Sequence, residues 1–166
     1  MNFIVAVDED WNIGKDNDLL FHIPADMQYF KEKTMGKVVV MGEATLKSLP
    51  GGKPLPGRTN IVLSDDPAFD VQGAAVVRNM DALRQEVGKY PSDDVFVIGG
   101  ASVYNQLMDA CGRAYITKVK AVAPADKRIN SLDGRDGWAV AHQSGVQSHD
   151  GLEFVFTIYE NSNVKE

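Results

Sequence analysis

Four short apolar runs constrain this chain more than any other feature: NFIVAVD (2–8), KVVVMG (37–42), RTNIVLS (58–64) and DVFVIGG (94–100). Their apolar centres are continuous, and polar residues or glycine bound them. A strand with one wet face alternates, whereas a strand covered on both faces reads as an unbroken run. GAAVV (73–77) and AYITKVKA (114–121) add two further strands. Between these runs lie helical patterns at 24–34, 44–49, 80–90 and 102–110. Strands alternating with helices predict an α/β fold, a mostly parallel sheet with helices on both faces. WAVAHQSGVQS and LEFVFTIYE (152–160) close the chain as strands with only a turn between them, so an antiparallel pair is expected there. DEDWNIGKDNDLLF (8–21) has no clean period and reads as a long loop.

Composition narrows the function. With 166 residues the chain is long enough for one domain, residues 1–166, with a sizeable core. Its 17 basic and 23 acidic residues leave a net charge of −6, and no basic run stands out, so a nucleic-acid partner is not expected. The start, MNFIVAVDED, has neither the basic opening nor the long apolar run of a signal peptide. No stretch approaches the length of a membrane span. The single cysteine, Cys111, fits a reducing compartment, and a cytoplasmic protein is expected. His22, His142 and His149 are far apart and no ligand-spaced Cys/His set exists, so no metal is expected.

The helix at 24–34 carries an unusual acid. Pro24 suits its first position, and Ile23, Met27, Phe30 and Thr34 form one stripe. Asp26 borders that stripe. Taken alone, the helix favours a first-turn acid answering the helix dipole. The other reading is a carboxylate at the floor of an apolar pocket. Two strand-to-helix turns are also marked by glycine: VVVMGEAT (38–45) and VFVIGGASVY (95–104). Glycine there lets a phosphate approach the backbone. Neither turn matches a known phosphate-binding pattern, so each by itself is weak.

Taken together, AVDEDWNIG, DLLFHIPADMQYFKEKT, VVVMGEAT, PLPGRTNIVLS, VFVIGGASVY and YITKV resemble dihydrofolate reductase in order and spacing, across about residues 2 to 160. The resemblance implies that family's fold: a twisted, mostly parallel sheet of about eight strands, the last antiparallel. It implies hydride transfer from a reduced nicotinamide cofactor to dihydrofolate, giving tetrahydrofolate, in a monomer that also binds antifolate-type molecules. On this reading Asp26 is the pocket carboxylate, Thr117 joins its network, and Phe21 stands where the family usually has tryptophan. Ile4, Val5, Ala6, Met27, Phe30, Leu49, Leu55 and Ile98 match wall positions, and Arg58 matches the arginine that pairs with the substrate's α-carboxylate. The cofactor would run along Ala6, the loop residues Ile13, Asn17 and Leu19, and the first turn, Gly42, Glu43, Ala44 and Thr45. It would continue past Leu63, Ser64, Asp65 and Arg78 to Ile98, Gly99, Gly100, Ala101, Ser102, Val103 and Tyr104. Asp126 matches an acid whose loop supports the lid at 9–22. Burial should raise the pKa of Asp26.

The departures concern the cofactor. Glu43, Asp65 and Ser102 stand where the family often has contacts to the cofactor's 2′-phosphate, leaving Arg78 as one nearby cation. A carboxylate repels a phosphate but accepts hydrogen bonds from a ribose diol. NADPH is the first expectation, with weak discrimination or use of NADH as the alternative. Two rival functions stay open: a pyrimidine reductase of riboflavin biosynthesis, and a folate- or nucleotide-binding module without turnover.

Overall fold

The computed structural model describes residues 1–165. Eight strands follow one path through the main sheet, β10-β12-β8-β1-β7-β4-β5-β6. They are β1 (Asn2–Val7), β4 (Val38–Gly42), β5 (Thr59–Leu63), β6 (Ala74–Val77), β7 (Val95–Gly99), β8 (Arg113–Val119), β10 (Trp138–Gln143) and β12 (Leu152–Asn161). A ninth, β11 (Gln147–His149), pairs with β12 alone. The six strands from β8 to β6 run parallel, and β12 lies antiparallel to β8 and to β10.

The apolar runs split by parity between two cores. Phe3, Val38, Val40, Val95 and Val97 face one side, where Leu83 and the trio Val103, Tyr104 and Leu107 cover them. These come from α3 (Met80–Val87) and α4 (Ala101–Leu107). Ile4, Val39, Met41, Phe96 and Ile98 face the other side, under Leu46, Tyr29 and Phe30. Those come from α1 (Pro24–Thr34) and α2 (Glu43–Ser48). Burial on both faces is why these strands do not alternate in sequence. Buried apolar area of this kind contributes about 25 cal/mol per Å2.

The structure revises several expectations. The segment at 8–21 is not a featureless loop. It forms a hairpin of β2 (Asn12–Lys15) and β3 (Asp18–Leu19), extended by β9 (Lys127–Arg128). Lys15 pairs with Asp18, so Asp16 and Asn17 make a two-residue turn, both at positive φ. A type I′ turn asks for that, and Asp and Asn tolerate it. WAVAHQSGVQS breaks into two strands, β10 and β11, separated by Ser144–Val146. The helix at 80–90 ends at Val87, and the one at 102–110 begins at Ala101 and tightens after Leu107.

Asp8 anchors the hairpin to the sheet. Its carboxylate accepts bonds from the backbone N–H of Asp10, Asn12 and Ala123 and from the Asn12 amide. Burial pushes its pKa up, but these four bonds outweigh it and hold the group below its ordinary 3.8. A depressed acid contributes stability that is fully present above its unfolded value and lost as pH falls through its folded value. Asp8→Asn should therefore flatten the decline of stability below about pH 4. It should also cost about 1–3 kcal/mol at neutral pH, because four N–H donors lose a charged acceptor. Urea unfolding across pH checks both, and an unchanged acid limb would refute the assignment.

Candidate active site

Thr117 sits on β8 in register with Ala6 of β1 and Phe156 of β12. Its hydroxyl donates to Asp26 Oδ1 at 2.6 Å across the space between α1 and the sheet. The helix starts at Pro24 without a side-chain cap, which sets Asp26 in its first turn, facing β8. Asp26 is half-buried. Burial raises its pKa, and the bond from Thr117 draws it part of the way back. Asp26 therefore stands in the first turn of α1, as the dipole reading expects, and is also half-buried and bonded to Thr117.

Around this pair the structure gathers most of the proposed wall. Ile4, Phe30, Leu49, Leu55 and Ile98 share one apolar cluster, joined by Tyr115. Met27 and Leu19 are about half exposed, at 52% and 54%. Phe21 packs against Ile23, Val119 and Phe154, close in sequence to the Asp26 pair but with no polar atom to offer. Val5 is the exception. Its side chain joins the α3–α4 core on the opposite face, which leaves only its backbone on the strand that carries Ile4 and Ala6.

Arg58 is half-buried, and burial lowers its pKa. Its guanidinium donates to the Pro56 carbonyl at 2.9 Å and to Thr34 Oγ1 at 3.2 Å. No carboxylate pairs with it among the described residues. The loop before it turns at Gly57, where φ is 73° and a Cβ would lie 2.6 Å from the Met35 sulfur.

The two glycine turns meet. Gly99 has φ 137°, and a Cβ there would approach Thr45 Oγ1 to 3.1 Å, so the β7–α4 turn lies directly against the start of α2. Val103 also packs beside Gly42, and the buried Tyr104 hydroxyl donates to the Ile4 carbonyl at 2.7 Å. Ala101 is half-buried at the start of α4, and Ile13 packs on the α3–α4 core beneath the hairpin. From that hairpin Asn17 reaches over to donate to the Ala44 carbonyl at 3.1 Å. Asp126 accepts from the Asp16 N–H at 3.0 Å, which ties its loop to the hairpin. Beyond the ends of β4, β5 and β6 lies a cavity of about 570 Å3, lined by Glu43, Ala44, Leu63, Ser64, Asp65, Arg78, Asn79, Met80 and Gln106.

Four residues of the site were missed in sequence: Thr34, Asn60, Lys47 and Gln106. Thr34 and Asn60 hold Arg58 and its loop. Lys47 bonds Glu43, a pairing its i,i+4 spacing already signalled. Gln106 donates to Ser102 and lines the cavity; no local pattern marks it.

Asn60 has a testable role. Its buried amide accepts from the Leu55 N–H and donates to the carbonyls of Leu55 and Arg58. Asn60→Ala should cost about 2 kcal/mol through those unpaired groups. A loss below about 0.5 kcal/mol by urea unfolding would mean that water replaces all three bonds.

The family model for dihydrofolate reductase matches residues 1–161. Dihydrofolate reductase of Bacillus subtilis (strain 168) is 36% identical over 165 residues, covering 98% of this chain and 95% of that one. Dihydrofolate reductase type 3 of Salmonella typhimurium is 36% identical over 158 residues, covering 93% and 95%. The dihydrofolate reductase of Enterococcus faecalis complexed with NADP(H) and RAB-propyl superposes with a TM-score of 0.86 at 30% identity, covering 96% of this chain and 95% of that one. A sheet order, a carboxylate–threonine pair and two abutting glycine turns thus coincide with full-length similarity, and the chain belongs to the dihydrofolate reductase family.

Proposed function

We propose that this chain reduces 7,8-dihydrofolate to 5,6,7,8-tetrahydrofolate, with Asp26 and Thr117 recognising the ring that is reduced. The observation that carries the assignment of residues is the 2.6 Å bond from Thr117 to Asp26 beside open apolar side chains. Thr117 occupies one carboxylate oxygen, which leaves Oδ2 for a donor on the ligand. An ionised carboxylate only accepts, so it selects a ring edge made of N–H groups. Ile4, Phe30, Leu49, Leu55 and Ile98 supply apolar cover for the ring and its substituent. Arg58, half-buried and without a carboxylate partner among the described residues, suits the negative end of the substrate as a planar two-pronged donor.

A reduced nicotinamide, NADPH in the first instance, supplies the hydride when bound. This chain's residues hold it and keep water from it. The abutting turns at Gly42 and Gly99-Gly100 offer bare backbone for a pyrophosphate, which supports the fit of a dinucleotide. The β2–β3 hairpin, tied to Ala44 by Asn17 and to Asp126 by Asp16, is suited to cover the nicotinamide end. Among the described residues Thr117 is the side chain that bonds the Asp26 carboxylate, and no histidine, lysine or cysteine bonds to it. A water reaching the ring past Phe21 is therefore the proton donor, and Asp26 holds the ring in the reactive form.

The same reading describes a cytoplasmic monomer. Burial pushes the thiol of Cys111 up to about 12, so it is inert and suited to a reducing compartment. Among the described residues no helix is long and apolar enough to cross a membrane. The Asp26–Arg58 arrangement favours folate over the ribitol phosphate of a riboflavin intermediate, since a carboxylate in the pocket repels phosphate.

Asp26→Asn tests the assignment. Dihydrofolate-dependent cofactor oxidation at neutral pH should fall by about 10²-fold or more. The pH–rate profile of the unmodified chain should carry an ionisation above 3.8 that the variant lacks. Stability should move the other way. A raised acid binds its proton more tightly when folded, so stability is fully present below the unfolded value and lost as pH rises through the folded one. Removing the charge should make the variant as stable as the parent, or more so, at pH 7. Full activity in the variant would overturn the role of Asp26.

A further inference from the structure

The cavity beyond β4, β5 and β6 is the place for the adenosine half of the dinucleotide, if the proposed function holds. Its ionisable lining is two carboxylates, Glu43 and Asp65, against one guanidinium, Arg78. The guanidinium is partly committed, through two of its N–H groups. It donates to the Asp66 carbonyl at 2.6 Å and the Phe69 carbonyl at 2.7 Å, closing the turn that follows β5. The nearest other cation, Lys47, donates to Glu43 at 2.6 Å and lies over the Phe69 ring.

Glu43 is held from both sides. Lys47 takes Oε2, and the buried Ser64 hydroxyl donates to Oε1 at 2.5 Å. The lysine first, then the serine, keeps the carboxyl below its ordinary range, so it is ionised at any working pH. Ser64 spends its one proton on Glu43, so it has none to give a phosphate. The fit of the dinucleotide's two turns is good, but the fit of a phosphate on the adenosine ribose is poor. That group would meet two carboxylates, Glu43 and Asp65, with Lys47 paired to Glu43 and Arg78 partly spent on carbonyls. A ribose 2′-hydroxyl would instead find an acceptor.

We propose that Glu43, clamped by Ser64 and Lys47, is the specificity residue of this cavity and selects a dinucleotide whose adenosine ribose carries a free 2′-hydroxyl, so that the chain uses NADH at least as well as NADPH. Asp65 adds to the same field. The inference rests on the proposed function for the identity of the ligand, and binding separates the two.

The experiment measures dissociation constants of NADH and NADPH for the chain without substrate, by quenching of tryptophan fluorescence. Steady-state kcat/KM for dihydrofolate reduction is measured alongside. The unmodified chain should bind NADH as tightly as NADPH or more tightly. Glu43→Gln should shift the binding ratio about tenfold towards NADPH, and Glu43→Arg further. Because the two cofactors are compared within one variant, general damage to the fold cancels. Higher salt should narrow the difference in the unmodified chain, since it screens the repulsion. A tenfold or greater preference for NADPH in the unmodified chain overturns the inference, as does binding of neither cofactor or a ratio unmoved by Glu43→Arg. Discrimination in binding without turnover of dihydrofolate would leave the selectivity intact and refute the proposed reaction instead.

Discussion

Double-sided burial of the parallel strands is the constraint on which the rest of the molecule depends. Val39, Val40 and Met41 have essentially no exposed surface, and neither do Ile61, Val62 and Val97. Strands of this kind need helices on both faces, and parallel neighbours need crossovers, so every connection returns over the sheet. The carboxyl ends of β4, β5, β6 and β7 then fall on one side. Both glycine turns, the cavity and the start of α2 lie at that end. Ligand sites outside the carboxyl ends of parallel strands are the general outcome of that geometry.

The carboxylate at α1 is held against its own solvation. Burial works to neutralise Asp26, and only one protein donor, Thr117, favours the charge. Asp8 shows the contrast: four donors converge on it, and its charge is secured as part of the framework. The two acids lie close in sequence and differ in how many hydrogen bonds meet them.

The fold was legible where burial writes itself into a local pattern. The runs at 2–8, 37–42 and 94–100 are strands within a residue or two, and Pro24 opens α1 as its position suggested. The β2–β3 hairpin was missed because it is polar on both sides and its strands are very short; only the Asp16-Asn17 pair carried a signal. WAVAHQSGVQS hid its break because serine and glycine at 144 and 145 were absorbed into an apparent strand. Of the wall residues carried over by resemblance, Ile4, Phe30, Leu49, Leu55 and Ile98 fall in one cluster, while Val5 faces the opposite core. The supporting ones, Thr34 and Asn60, were not found, since polar residues that hold a loop follow no period.

The sequence by itself determined the class of fold, because continuous apolar runs, a proline-led helix and glycines at strand ends are local facts of composition and spacing; the chemistry of the pocket came from the resemblance. It also supplied the acids at 43 and 65. What only the tertiary structure decided is which groups are spoken for. Asp26 has one bond and Asp8 four; Arg78 is tied to two carbonyls; Glu43 is fixed between Ser64 and Lys47. Those partners are brought together from distant parts of the chain, 91 residues apart for Asp26 and Thr117. A side chain's charge can be read from its letter, but its availability depends on every donor the fold brings within reach.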